Sequence, residues 1–190
     1  MRKLILRMNL TLDGVAPGND GGLDVVDLAN GDSWDDVFTT VKTVDTMLVG
    51  GTSAKEYLAH WHTAATDPKA EPNERTFGEI AERTPHVVLS RTMTSIDFKN
   101  ATILSAGVDG IAELKRQSGG DMLIWGGPTV AGAAIDAGVI DEYHFVVHPA
   151  ISGRGKKLFA NVASTHRLRT IDMRTLASGV LLVKYGVATQ

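Results

Sequence analysis

The amino-acid sequence predicts an α/β fold of three layers, in which a mostly parallel central sheet carries an antiparallel hairpin at its C-terminal edge. Three observations support this prediction. Short apolar runs alternate with helix-like segments along most of the chain, which is typical of strands joined by helices. Two of the apolar runs end in a glycine pair directly before a helix, at Gly50-Gly51 and at Gly126-Gly127. The segment 166–188 contains two strand-like stretches around a turn at 177–179, which favours a hairpin.

The N-terminal half is predicted to alternate between strands and helices. Apolar runs bounded by turn residues indicate strands at 3–10, 46–50 and 86–90. The sequence also indicates helices at 33–44, 53–61 and 77–83. Ser33 with Asp36, and Ser53 with Glu56, have the spacing of a capping box at the first two helix starts. The polar segment 62–75 contains two prolines and is expected to be an exposed loop.

The C-terminal half continues this alternation. Further strands are expected at 101–104, 121–125 and 141–149, and further helices at 107–118 and 128–137. Gly119-Gly120 and Gly138 follow the two helices, as glycines that end helices commonly do. Because helices separate most consecutive strands, the sheet is expected to be largely parallel.

Length and composition restrict the class of protein. At 190 residues, with 43% hydrophobic and 22% charged residues, the chain is expected to form a single globular domain over residues 1–190. The net charge of −3, without any Lys/Arg block longer than two residues, argues against nucleic-acid or membrane partners. No apolar run approaches the ~20 residues of a membrane span. The N-terminal run is too short for a signal peptide, so a cytoplasmic protein is expected.

Metal and thiol chemistry are not expected. The chain contains no cysteine, which excludes disulfides, thiolate ligands and a cysteine nucleophile. His60 and His62 are two residues apart on a predicted helix and do not face each other. His144 and His148 share one face of a predicted strand, but no acidic third ligand is evident.

The two glycine pairs predict an anion-binding site. In an open α/β sheet, ligands bind at the carboxyl ends of strands, where helices begin. The first-turn amides of a helix lack partners within it, and the helix dipole adds partial positive charge, so a phosphate suits this place. Glycine allows close approach to the backbone, Pro128 loses no hydrogen bond at the first helical position, and Thr129 adds a hydroxyl. We interpret 126–132 as a pyrophosphate site; the alternative is that both glycine pairs merely reverse the chain.

Arg91 is a candidate phosphate ligand after the predicted strand 86–90. A guanidinium makes bidentate, charge-assisted hydrogen bonds with a phosphate monoester. Beside a dinucleotide it would favour the 2′-phosphorylated cofactor. The alternative is a solvated arginine in a loop.

These stretches, in this order, resemble the dihydrofolate reductase fold, and more closely the riboflavin-biosynthesis reductase (RibD C-terminal) family, as a stand-alone member. The similar stretches are 9–18, 48–57, 87–94, 123–159 and the terminal hairpin. The resemblance implies an NADPH-dependent oxidoreductase of the dihydrofolate reductase or 5-amino-6-(5-phosphoribosylamino)uracil reductase type. Its substrate would be a small pteridine- or aminopyrimidine-like heterocycle. The resemblance also implies a homodimer.

The resemblance further implies a set of cofactor-binding residues. The nicotinamide would lie near Leu12, Asp13, Gly14 and Ala16. One side of the phosphates would contact Gly50, Gly51, Thr52 and Ser53, and the adenosine 2′-phosphate would contact Ser90, Arg91 and Thr92. The pyrophosphate would contact Gly126, Gly127, Pro128, Thr129, Val130 and Ala131.

The catalytic acid is left open. In folate reductases a carboxylic acid on the first helix anchors the heterocycle, and here that helix offers Asp35 and Asp36. Asp36 is also explained by the capping box, so Asp35 is the preferred candidate. Asp13 is a second candidate, whose alternative role is that of a turn residue before Gly14.

Four aromatic residues could line the binding site of a planar substrate ring: Trp34, Phe38, Tyr57 and Trp61. The alternative is that they belong to the ordinary core beneath the helices. Trp125 stands where the riboflavin enzymes commonly have a substrate-contacting Glu, and Gly51 stands where folate reductases usually have Arg. These departures keep two alternatives open. One is a non-catalytic nucleotide- or flavin-binding module, and the other is a structural dimer module.

Overall fold

The computed structural model of the protein describes residues 1–17 and 31–188. The strands are β1 (Leu4–Thr11), β2 (Val44–Gly50), β3 (His86–Leu89), β4 (Ala101–Leu104), β5 (Asp121–Trp125), β6 (Glu142–His148), β7 (Leu168–Thr175) and β8 (Leu181–Val187). The α-helices are α1 (Trp34–Val41), α2 (Gly51–Thr66), α3 (Pro72–Arg83), α4 (Ile111–Arg116) and α5 (Pro128–Asp136). Within the described residues, no helix has the length and apolar character that crossing a membrane requires.

All eight strands form one sheet in the order β4-β3-β2-β5-β1-β6-β8-β7. The pairs from β4 to β6 are parallel. The last two pairs, β6 with β8 and β8 with β7, are antiparallel. The predicted α/β class, with a mostly parallel sheet and an antiparallel hairpin at the edge, is therefore confirmed.

Helices cover both faces of the sheet. Side chains of β1 point alternately to the two faces, so this strand contributes to the apolar core on each side. Leu4 and Leu6 pack in one apolar cluster with Ile111 of α4 and Ile135 of α5. Ile5 points to the other face, where the apolar cluster draws on α1, α2 and α3 through Val37, Trp61 and Phe77. Each fully buried large aliphatic side chain contributes about 1.5–3 kcal/mol, so both faces stabilise the same layered arrangement.

The segment 62–75 is mostly helical, so the predicted loop is wrong. α2 extends to Thr66 and α3 begins at Pro72, which leaves only 67–71 between them. The two helices lie close together, since a Cβ at Gly78 would stand 2.8 Å from the carbonyl oxygen of Trp61. Pro72 occupies a first helical position, where its missing N–H removes no helical hydrogen bond.

Both predicted capping boxes are also wrong. α2 begins at Gly51 with Gly50 as its cap, so Ser53 lies inside the first turn. Ser33 precedes α1, but its side chain makes no capping hydrogen bond. The Asp36 carboxylate turns inward instead and forms ion pairs. α1 also ends earlier than predicted, at Val41, because the strand β2 already begins at Val44.

Candidate active site

The two glycine pairs lie side by side at one edge of the sheet. β2 and β5 are parallel neighbours, and α2 and α5 follow them directly. A Cβ added to Gly127 would lie 3.7 Å from Ser53 Oγ and 3.8 Å from the Gly50 nitrogen. The first-turn amides and the positive dipole ends of both helices therefore converge at this place.

Each turn requires glycine for its own reason. Gly126 and Gly127 have φ angles of 76° and 73°, in the left-handed region that other residues rarely adopt. A Cβ at Gly51 would stand 2.7 Å from Ser90 Cβ, which is too close for any real side chain. No atom of the described residues lies within 4 Å of a Cβ position at Gly126, so the backbone there has space beside it.

The two turns border a cleft of about 910 Å³. This volume lies near the upper end of ligand pockets, which span roughly 300–1,000 Å³. The predicted cofactor residues that line it are Gly50, Gly51, Thr52, Ser53, Ser90, Thr92, Gly127, Pro128, Thr129 and Val130. Sequence reasoning missed the other lining residues in the described part of the chain, which are Pro17, Glu56, Leu89, Met93 and Lys156.

The other predicted cofactor residues do not line this cleft: Leu12, Gly14, Ala16, Arg91, Gly126 and Ala131. Ala131 is fully buried between α5 and the sheet. Arg91 is exposed, and its Nη2 donates a hydrogen bond to Asp109 at 2.6 Å. The binding roles of these residues stay predictions.

Asp13 holds the turn that follows β1. Its carboxylate accepts hydrogen bonds from the Thr11 hydroxyl at 2.6 Å and from the amides of Ser152 and Gly153 at 3.1 and 3.0 Å. These hydrogen bonds, that of Thr11 first, lower the pKa of Asp13 to about 2. Such an acid is ionised at neutral pH and donates protons poorly. The contacts therefore favour the turn role that the sequence left open.

The two acids of α1 have opposite surroundings. Asp35 is exposed, whereas Asp36 is only 4% exposed. Asp36 Oδ1 lies 2.6 Å from Lys184 Nζ and 3.0 Å from Arg174 Nη2. The acid that points into the protein is therefore Asp36 rather than the preferred candidate Asp35, and cations of the β7–β8 hairpin already bind it.

Arg7 links these ion pairs to the strand that leads into the second glycine turn. It lies in β1 opposite Trp125 of β5 and is 3% exposed. Its Nη2 is 3.7 Å from Asp36 Oδ2, and its guanidinium carbon is 5.1 Å from the centre of the Trp125 ring. Burial lowers the pKa of Arg7 to about 10, against the opposing effect of Asp36. We refer to Arg7, Asp36, Arg174 and Lys184 as the Arg7–Asp36 cluster.

Three of the predicted substrate residues lie near this cluster. Trp34, Phe38 and Trp125 are partly exposed. Trp34 stacks on Phe38 with ring centres 5.6 Å apart, and the fully buried Phe77 lies 4.5 Å from the Trp125 ring. Tyr57 packs differently: its hydroxyl contacts Met47 Sδ at 3.5 Å, and burial raises the pKa of Tyr57.

Two buried histidines lie on the same face of the sheet as Arg7. His144 Nε2 is 3.2 Å from Glu142 Oε2, and His148 Nε2 is 3.0 Å from Asn9 Oδ1. Burial lowers the pKa of both imidazoles. Across residues 1–17 and 31–188, no three His, Asp or Glu side chains lie close enough together to hold a metal ion.

Sequence reasoning did not identify Arg7, Arg174 or Lys184 as members of a cluster. One signal was present, because Arg7 interrupts the apolar run 3–10, and a charge inside a buried strand needs a partner. The partner itself was not visible. Asp36 and Arg174 are 138 positions apart, and their contact depends on how the hairpin docks against α1.

Comparison with known proteins gives a family match over nearly the whole chain. A family model described as the RibD C-terminal domain matches residues 2–182. The chain is also 28% identical over 187 residues to the uncharacterized protein YyaP of Bacillus subtilis (strain 168), which covers 97% of this chain and 94% of YyaP.

Two solved structures share the fold. Dihydrofolate reductase from Enterococcus faecalis, complexed with NADP(H) and RAB-propyl, superposes with a TM-score of 0.62 at 17% identity, over 98% of this chain and 97% of that one. A Thermotoga maritima diaminohydroxyphosphoribosylaminopyrimidine deaminase/5-amino-6-(5-phosphoribosylamino)uracil reductase has a TM-score of 0.65 at 16% identity, over 98% of this chain and 57% of that one. The chain therefore has a reductase-type fold.

Proposed function

Because the chain belongs to the RibD C-terminal domain family, we propose that it is an NADPH-dependent reductase that transfers a hydride to a small planar heterocycle. The single observation that supports this proposal most strongly is the pair of glycine turns bordering one cleft. NADPH supplies the hydride when bound. The tasks of the chain are to hold the cofactor, to orient the substrate and to exclude water.

The residues of the cleft fit the pyrophosphate of a dinucleotide. Two helices begin at the cleft, and their first-turn amides and dipoles favour negative charge. At Gly127, which lines the cleft, the absence of a Cβ allows a phosphate to approach the backbone closely. The hydroxyls of Thr52 and Thr129 and the ammonium group of Lys156 add donors along the same lining.

We propose that Ser90, Arg91 and Thr92 bind the adenosine 2′-phosphate. Ser90 and Thr92 line the cleft, and Arg91 lies between them in the sequence. The Arg91–Asp109 pair has both side chains at least 70% exposed. Exposed pairs are worth only about 0–1 kcal/mol. A phosphate, which carries more negative charge than a carboxylate, can therefore compete with Asp109 for the guanidinium.

The substrate in this proposal is a pteridine- or aminopyrimidine-like ring. The family match and the reductase activity named for the Thermotoga protein support this choice. Trp34, Phe38 and Trp125 offer partly exposed rings against which a flat heterocycle can stack. Asp35 remains the candidate acid at the surface of α1, and Asp13 the weaker one.

The proposal includes a cytoplasmic homodimer. The edge strand β7 exposes Ile171 and Met173, at 43% and 62%, and a second copy can cover such side chains. We also propose a cellular role in a riboflavin-type biosynthesis. The family match is the observation that supports this role.

Thermal unfolding with and without cofactor tests the proposed function. A ligand that binds only the folded state stabilises it by RT ln(1 + [L]/Kd), which is about 2.7 kcal/mol at one hundred times Kd. For a domain of this size that corresponds to an increase in Tm of roughly 5–10 °C. We expect this increase with NADPH and a clearly smaller one with NADH. Negligible shifts with both cofactors would contradict the proposal.

A second candidate function is a nucleotide- or flavin-binding module without turnover. The observation that favours it is that Asp36 and Asp13, two of the candidate acids in the described residues, are already engaged by cations and amides. This alternative predicts that NADPH binds but is not oxidised with pteridine, aminopyrimidine or small carbonyl substrates. Turnover that is lost in Asp35→Asn would exclude it.

A further inference from the structure

One buried carboxylate faces three cations in the Arg7–Asp36 cluster. Asp36 Oδ1 is shared by Lys184 and Arg174, at 2.6 and 3.0 Å, and Oδ2 faces Arg7 at 3.7 Å. Two cations of the protein thus contact one oxygen of this carboxylate, and a third lies beside the other oxygen, so its negative charge is balanced within the protein. Within the Arg7–Asp36 cluster three cations therefore share one carboxylate, and Asp172, 3.0 Å from Arg174 Nε, is a second carboxylate at its edge.

Within this cluster, the donors without partners belong to Arg7. Its Nε and Nη2 find no hydrogen-bond acceptor among the described residues, although the side chain is 3% exposed. Asp36 attracts the guanidinium electrostatically but is too distant for a hydrogen bond. The guanidinium carbon lies over the Trp125 ring, which attracts the charge but accepts no in-plane hydrogen bond from the N–H groups. Buried charged donors without acceptors are unfavourable unless a ligand supplies the acceptor.

Arg7 lies next to the proposed cofactor turn. It is the register partner of Trp125, and Trp125 directly precedes Gly126 and Gly127. Trp34 and Phe38 pack in the same apolar cluster as Trp125 and are partly exposed with it. The unpaired donors thus lie beside aromatic rings and one strand away from a turn that borders the cleft.

We propose that Arg7 is a specificity-determining residue whose in-plane N–H groups bind acceptor oxygens, such as ring carbonyls, of the substrate. Asp36 is a positioning residue that holds the guanidinium. This inference rests on the proposed reductase function. It adds that the substrate ring presents hydrogen-bond acceptors, rather than donors, to this part of the protein. A free carboxylate would select a ring that presents amino donors, whereas Arg7 selects a ring that presents carbonyl acceptors.

Two probes with the same ring system test this polarity. Lumazine (pteridine-2,4-dione) presents carbonyl oxygens at the positions where 2,4-diaminopteridine presents amino groups. We expect wild-type protein to bind lumazine at least tenfold more tightly, measured by calorimetry with and without NADPH. Equal affinities, tighter binding of the diamine, or no binding of lumazine would overturn the proposal.

Substitutions then assign the preference to Arg7. Arg7→Met should lower lumazine affinity at least tenfold and leave NADPH affinity unchanged. Arg75→Met is the matched control. Arg75 Nε also has no hydrogen-bond partner among the described residues, but Arg75 lies in α3, and its Nη2 donates hydrogen bonds to the carbonyls of Pro68 and Ala70. If Arg7→Met does not fold, Arg7→Lys keeps the charge beside Asp36 without the planar donors. A folded Arg7 variant that retains the full lumazine preference would overturn the proposal.

The two proposals fail in different ways. Wild-type protein that prefers lumazine but does not bind NADPH would refute the proposed reductase function, and Arg7 would then bind the ring carbonyls without serving a reduction. Wild-type protein that binds NADPH and shows no preference between the two pteridines would refute only the role of Arg7.

Discussion

The glycine turns and the Arg7–Asp36 cluster lie on one sheet but are assembled in opposite ways. Each glycine turn consists of consecutive residues at a strand–helix junction, and its ligand groups are backbone amides. The cluster instead joins side chains of β1, α1, β7 and β8. A site whose ligand groups are backbone amides can therefore be predicted from a short sequence motif. A site built from distant side chains becomes visible only with the topology.

The largest expected effect separates the two neighbouring acids of α1. Asp36→Asn leaves Arg7 and Lys184 without a counter-charge, and breaking a buried pair in this way costs about 3–5 kcal/mol. Asp35→Asn changes an exposed side chain and should alter stability by less than about 0.5 kcal/mol. Urea unfolding at neutral pH measures both. Similar losses in the two variants would show that the cluster does not hold the fold together.

The next effect concerns the backbone site and uses two glycines with the same conformation. Gly127 and Gly138 have φ angles of 73° and 64°, so alanine at either position costs about 1–2 kcal/mol of strain. Gly127 borders the cleft and Gly138 does not, and no atom of residues 1–17 or 31–188 lies within 4 Å of a Cβ position at Gly138. We expect Gly127→Ala to weaken NADPH binding at least tenfold in calorimetry and Gly138→Ala to leave it unchanged. Equal affinities in both variants would contradict the pyrophosphate role.

A smaller effect distinguishes the two regions by pH. Burial, and then the charge of Lys184, lower the pKa of His144 beside the cluster. The unfolded chain therefore binds a proton near pH 6.5 that the folded protein does not, so stability is full above this pH and falls below it. Between pH 7.5 and 5.5 the free energy of unfolding of the wild type should fall, and His144→Gln should reduce this fall by up to about 1.4 kcal/mol. Urea unfolding at both pH values checks this, with the exposed His62→Gln as control. An unchanged pH dependence in His144→Gln would contradict the prediction.

The smallest expected effect is at the exposed Arg91, which lies between the cleft residues Ser90 and Thr92 in the sequence. Arg91→Ala should weaken NADPH about fivefold, roughly 1 kcal/mol, because an exposed charge is screened by solvent. NADH, which lacks the 2′-phosphate, should bind equally well to wild type and variant. Parallel losses for the two cofactors in a fluorescence titration would refute the assignment of Arg91.

Much of the fold was predictable because its signals are local. The strands at 101–104 and 121–125 have the predicted bounds, and the terminal hairpin turns where expected. The error at 62–75 arose because a polar composition with prolines fits a loop and an exposed pair of helix ends equally well. There Pro72 begins a helix, so proline by itself did not decide between the two.

Part of the candidate site was likewise predictable from local signals, and part was not. The cleft lining around Gly51 and Gly127 follows from motifs, because each motif contains both the strand end and the helix start. The spacing from Ser33 to Asp36 gave a local explanation for Asp36, and this hid its long-range partners. No pattern in a single sequence specifies that Lys184 and Arg174 meet that carboxylate.

A crystal structure of the protein with NADPH bound tests the central claim most directly. We predict diphosphate density between the α2 and α5 starts, with phosphate oxygens within hydrogen-bonding distance of the amides around Gly51 and Gly127. Density for the cofactor at another surface, or a cleft that stays empty at saturating NADPH, would contradict the claim that these two turns form a dinucleotide site.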